Sequence, residues 1–268
     1  MANRAYLYSL DNRPADYSDR PEKICGLSEW NYGIPFSYRV LMSGHPQLCA
    51  SLISDGFEDD KENAKTRLYA ISAEFEKGHA RLKKLLAVVA HIATHTATSN
   101  PPVSVPLTPL AQLKEKWKHL FSKQEISPLN LPAPHLAESI RQTHDFLSGH
   151  ANPYLLLETI ELDLMDTDEE NALRAHVENE IARCIQTGQA VDALPDNTEA
   201  AAPILLQAAR NPMPAPLDAF FGLRFDDDCD NLADKKTEYP LGLEWHDDLY
   251  YGLFNREEFE KNLKETRK

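Results

Sequence analysis

The sequence predicts an α+β fold, mainly helical, with a small β-sheet that includes the N-terminal strand. Three observations lead there. An aromatic and aliphatic segment at the start alternates with a period near two. A long stretch in the first third repeats its apolar residues at helical spacing. Most of the remaining chain divides into further helical segments, punctuated by many of the 18 prolines in the 268 residues.

Residues 3–10, Asn-Arg-Ala-Tyr-Leu-Tyr-Ser-Leu, read as a strand, and Asp11-Asn12-Arg13-Pro14 supplies its turn. From Trp30 to Leu52, apolar residues are broken by Gly33, Pro35, Gly44 and Pro46, which predicts short elements packed on that strand. Between about Lys61 and Thr96, Leu68, Ile71, Phe75, Leu82, Leu86 and Val89 recur on one helical stripe, whereas Lys65, Glu76, Lys77 and Lys84 fall elsewhere. A long amphipathic helix is expected over this whole range.

Thr98-Ser99-Asn100-Pro101-Pro102, with Pro106 and Pro109, cannot continue that helix, because proline lacks the amide donor and clashes with the preceding turn. The expected organisation is therefore an N-terminal region over 1–98, a linker or loop over 99–110, and an acidic helical region over 111–268, with one continuous domain as the alternative. A helix is expected from Thr108-Pro109 carrying Leu113, Trp117, Leu120 and Phe121. Others are expected over 134–148, with Leu136, Ile140 and Phe146 inward, over 167–187, capped by Thr167 or Asp168, and over Pro203–Arg210. A last helix opens at Asn255, whose side chain can cap the turn containing Glu257 and Glu258. Leu223-Arg224-Phe225 and Leu241–Trp245 are short candidate strands.

The formal charge is −14, and it is unevenly placed. Residues 1–98 carry 12 acids and 12 bases, residues 99–152 carry 4 and 5, and residues 153–268 carry 26 and 11. Such a balance disfavours contact with phosphate backbones and favours encounter with a basic partner. No segment is long and apolar enough to span a bilayer, and no secretory apolar region follows Met1, so a cytoplasmic protein without membrane contact is expected. Cys25, Cys49, Cys184 and Cys229 form no C-x-x-C pair, which favours reduced, mostly buried thiols.

The local signatures of several enzyme classes are missing: no two glycines are separated by one residue, and there is no Gly-Lys-Ser/Thr, G-x-S-x-G or H-E-x-x-H. His91 and His95 have a spacing that suits two ligands of one metal, but a third ligand would have to come from elsewhere, and solvent-facing imidazoles suffice. Glu158 and Glu161 would share a face if that stretch were helical, inviting an acid/base role. Asp226-Asp227-Asp228-Cys229-Asp230 begins like a calcium loop but has Asn231 at the sixth position and Thr237 at the twelfth, so no catalytic residue, metal ligand or cofactor is assigned.

The remaining pattern is compositional. Tyr239, Trp245, Tyr250, Tyr251, Phe254 and Phe259 are interleaved with acids, and aromatic anchors inside an acidic rim suit a protein-binding surface. The candidate partner-binding residues are Asp226, Asp227, Asp228, Asp230, Glu244, Trp245, Asp247, Asp248, Tyr250 and Tyr251. The opening Asn3–Leu10 and the closing Glu244–Phe254 resemble segments of uncharacterised bacterial cytosolic proteins, some of them associated with immunity proteins of polymorphic toxin systems. That resemblance covers the two ends and implies steric occlusion of a toxin. The expected function is a non-enzymatic binding protein that neutralises a basic effector toxin. The alternatives are a metal-dependent hydrolase using Asp226, Asp228, Asp230 and a histidine, or a scaffold or regulatory module.

Overall fold

A computed structural model of the chain describes residues 3–58, 65–98, 133–228 and 239–266. The expected linker at 99–110, the expected helix after Thr108, and Cys229 and Asp230 lie outside these residues.

The α+β class holds. Strand β1 (Arg4–Leu10) forms where the alternation predicts it. Its alternation is imperfect because both faces are covered: Ala5 and Leu7 enter the main core, while Tyr6, Tyr8 and Leu10 enter a second cluster on the other face. Strands β2 (Ile24–Asn31), β3 (Gln47–Ala50), β6 (Tyr69–Glu74) and β7 (Tyr154–Glu158) join it in an antiparallel sheet of order β2-β1-β7-β6-β3. Two short pairs stand apart, β4 (Phe57–Glu58) with β5 (Lys65–Thr66) and β8 (Leu223–Arg224) with β9 (Tyr239–Pro240). The sheet therefore grows from segments near residues 24, 47, 69 and 154, and not from the C-terminal candidates; Leu241–Trp245 is not a strand.

The long helix α2 (Phe75–Thr98) starts later than its periodicity suggests. Tyr69-Ala70-Ile71-Ser72-Ala73 reads equally well with period two, and pairing with both β3 and β7 makes it a strand. From Phe75 onward, Leu82, Leu85, Leu86, Val89 and Ile92 fill the main core. They pack with α1 (Phe36–Leu41), α3 (Ala133–Gly149), α5 (Glu170–Ala193) and α6 (Thr198–Arg210). A close approach brings α2 against α1: a Cβ at Gly78 would overlap the Leu41 carbonyl oxygen.

Cap chemistry sets two helix ends. The Asn197 side chain accepts from Ala200 N at 3.1 Å and starts α6, so that Pro203 sits inside the helix and not at its start. Asn255 accepts from Glu258 N at 3.1 Å, while the Glu258 carboxylate accepts from Asn255 N at 2.9 Å, a reciprocal pair that opens α7 (Arg256–Thr266) as expected. Helix α5 runs to Ala193 and begins at Glu170, after Thr167 Oγ1 accepts from Glu169 N. Glu158 and Glu161 share no helical face: Glu158 ends β7, and Glu161 lies in the single turn α4 (Ile160–Asp163).

The second sheet face is covered by Leu52, Leu249 and the half-buried Leu253. The C-terminal segment is tied across it, with His246 N donating to Leu27 O, Tyr8 Oη to Tyr251 O, and Arg256 N to Pro21 O. Folding offsets part of the linear separation of charge. Arg39 pairs with Glu180, Arg81 with Asp192 and Lys84 with Asp196, so bases of the first hundred residues neutralise acids of the last hundred.

Candidate functional site

The predicted acidic and aromatic residues divide into two sets. Asp226 is 3% exposed and held by the Arg224 guanidinium at 2.9 Å, so it is an interior ion pair and not a surface contact. Asp227 accepts from Leu243 N at 2.5 Å, and burial raises its carboxyl to about 6. Asp228 offers its carbonyl to Arg224 at 2.6 Å. Trp245 is half-buried: its indole N–H donates to Thr143 Oγ1 at 2.8 Å and its ring lies near Tyr38 and Phe146. Asp226, Asp227 and Trp245 thus hold the fold together, whereas Asp228 is exposed and contributes its backbone. Glu244, Asp247, Asp248, Tyr250 and Tyr251 are exposed.

Tyr250 and Tyr251 belong to a larger face organised by the start of β1. The Arg4 guanidinium stacks over the Tyr250 ring at 5.1 Å, and its Nε donates to Asn31 Oδ1 at 3.0 Å and faces Glu29 at 3.3 Å. Arg4 N donates to Glu161 at 2.8 Å, and Tyr6 Oη reaches the same carboxylate at 3.1 Å. Next to Asn31, Tyr32 N donates to Asn3 O, and Tyr32 itself has a φ of 61°, unusual for a bulky residue. Thus Tyr32, Tyr250 and Tyr251 border the start of β1, Leu164 and Met165 follow the turn that carries Glu161, and the five belong to the eight large hydrophobic side chains exposed among the described residues. Periodicity did not reveal this face, because its parts come from residues 3–6, 29–32, 161–165 and 250–251.

A cleft opens beside Tyr32. Its larger lobe, about 420 Å³, is lined by Thr159, Asp163, Asp166, His176, Asn179 and Arg183; a smaller lobe of about 180 Å³ carries Trp30, Tyr32 and Tyr239. Gly33, Ile34 and Arg39 border both. Arg39 is committed to Glu180 by two contacts, at 2.6 and 3.3 Å, and Arg183 reaches the same carboxylate at 3.0 Å. Asp163 is compensated less well: it accepts from the Thr159 hydroxyl at 2.6 Å, and the nearest cation-forming group, His176 Nδ1, is 3.8 Å away. Burial raises the Asp163 carboxyl to about 6, and the neighbouring Glu180 and Asp166 push the same way. The one sequence signal for this lobe was the i, i+4 pair Thr159 and Asp163.

Glu158 stands apart from both features. It is fully buried, accepting from Leu52 N at 2.6 Å and from the Ser51 hydroxyl at 2.8 Å. His91 and His95 stack on each other with centroids 4.0 Å apart, and His95 Nδ1 contacts the His91 carbonyl. Among the described residues no three carboxylate, imidazole or thiol groups are placed to hold a metal ion, and no helix is long and apolar enough to cross a membrane.

Residues 11–121 match a family described as a domain of unknown function (DUF7822). The match takes in β2 to α2, with Tyr32 and Arg39, and leaves out β1, β7 and the segments bearing Asp163, His176 and Tyr250. No curated protein and no solved structure matches the chain.

Proposed function

We propose that this chain is a non-enzymatic binding protein that occludes a basic protein partner through the face around Arg4, in the manner of an immunity protein acting on a cationic effector toxin. The observation that carries the proposal is the exposure of Tyr32, Tyr250 and Tyr251 around the Arg4 end of β1, with Leu164 and Met165 exposed just after the turn that holds Glu161, and with the exposed acids Asp166, Asp247 and Asp248 adjacent in sequence. Scattered exposed hydrophobics need no explanation, but a group of this kind is what a partner buries. The aromatic rings supply contact area at small entropic cost, and the acids attract a basic surface over roughly 10 Å at 0.1 M salt. The same acids repel nucleic acid.

The test uses defined ligands, the purified basic proteins encoded beside this chain's own gene, titrated by calorimetry. Support is a complex that weakens with salt and loses about thirtyfold in affinity on Tyr250→Ala, the size of one interface anchor. Binding indifferent to Tyr250, Tyr251 and Tyr32, or turnover of a small molecule, would sink the proposal.

A further inference from the structure

The cleft next to Tyr32 has a chemistry that selects its occupant. One end is a carboxylate, Asp163, 12% exposed, which accepts from the Thr159 hydroxyl and faces His176 Nδ1 at 3.8 Å, with Asp166 as a second acid on the same wall. The two guanidinium groups of the cleft bond Glu180 instead, Arg39 through Nε and Nη2 and Arg183 through Nη1, which leaves His176 as the basic group nearest Asp163. The other end is aromatic, with the half-exposed Tyr32 beside the buried Trp30 and the half-buried Tyr239, over whose ring Arg39 lies at 6.0 Å. An anionic ligand would meet Asp163 and Asp166, and a neutral apolar one would leave Asp163 with only the Thr159 hydroxyl and His176. A cationic head on an aliphatic stem satisfies both ends, with charge on the carboxylate and methylenes along the rings.

We propose that this cleft receives a lysine or arginine side chain of the partner, making it the pocket into which a basic anchor inserts. The inference rests on the binding face described above and adds the residue class recognised there. Asp163 is the residue that touches the cation, Tyr32 lies along the stem, and the Arg39–Glu180 pair holds the floor in shape.

The probes are Nα-acetyl-L-arginine methylamide and its lysine and norleucine counterparts, titrated into the full chain at low salt and followed by backbone amide resonances. The arginine and lysine probes are expected to shift amides in 31–34, 159–166 and 176–183, and to bind at least about tenfold more tightly than norleucine, which has the stem without the charge. Asp163→Asn should weaken the arginine probe about tenfold, and Asp166→Asn, an exposed position that does not threaten folding, about two- to threefold. Equal binding of the three probes, shifts outside those segments, or unchanged affinity in both variants overturns the assignment. The assay contains no protein partner, so its failure removes only the cleft assignment; failure of the binding face appears separately, in the Tyr250→Ala titrations.

Discussion

Arg39 in α1 and Glu180 in α5, 141 residues apart, meet in a two-point ion pair at 2.6 and 3.3 Å that closes the floor of the cleft. The Glu180 side chain is 5% exposed, so neither charge can be left alone cheaply. Glu180→Ala is expected to cost about 3 kcal/mol in urea unfolding, while a paired Arg39→Met, Glu180→Leu replacement recovers most of that loss. A double variant as unstable as the sum of the singles would show that packing, and not charge, holds α1 to α5.

Gly78 makes a sharper prediction. An added Cβ would collide with the backbone of Leu41, which no rotamer change relieves. Gly78→Ala should therefore destabilise the chain by about 3 kcal/mol or more, although alanine is the better helix former. Thermal unfolding checks it, and a stabilised variant would contradict the close packing of α1 on α2.

Stability should fall as pH rises from about 4.5 to 7. Burial raises the Glu158 carboxyl from its ordinary 4.5 to about 7, overcoming the opposing bonds from Leu52 and Ser51 and the pull of Arg20. In that window the native state keeps a proton that the unfolded chain has released, so the slope is negative, and the loss is complete above the native value. The size is about 3 kcal/mol for a shift of this extent. Glu158→Gln should remove this share of the slope, leaving the parts due to Asp163 and Asp227, and be more stable than the parent at pH 8 in urea titrations. Parallel pH profiles for the two proteins would refute it.

Trp245 and Tyr250 separate structure from contact. Trp245→Phe loses the indole bond to Thr143 and should cost about 1 to 2 kcal/mol of stability. Tyr250→Ala, whose ring is 57% exposed, should cost less than about 1 kcal/mol while weakening any basic partner. Comparing unfolding with binding for the two variants is decisive: the reverse ranking in stability would place Tyr250 in the fold.

Local chemistry along the chain was enough for the mixed class, the first strand, the bulk of α2, the Asn255 cap and the absence of a membrane-spanning helix among the described residues. Each of these rests on near neighbours in sequence. Distant partners settled the rest. Residues 69–73 satisfy both a helical and an alternating pattern, and only pairing with β3 and β7 makes them a strand. Asp226 and Asp247 are equally acidic in the sequence, yet Arg224 takes one into the interior while the other stays in water. The C-terminal charge excess is partly neutralised by Arg39, Arg81 and Lys84, because Coulomb attraction acts over a few ångströms in space without regard to chain order. The cleft obeys the same rule: Tyr32, Asp163 and His176 carry no linear spacing that links them, and they line one cavity only because the sheet and α5 bring them there.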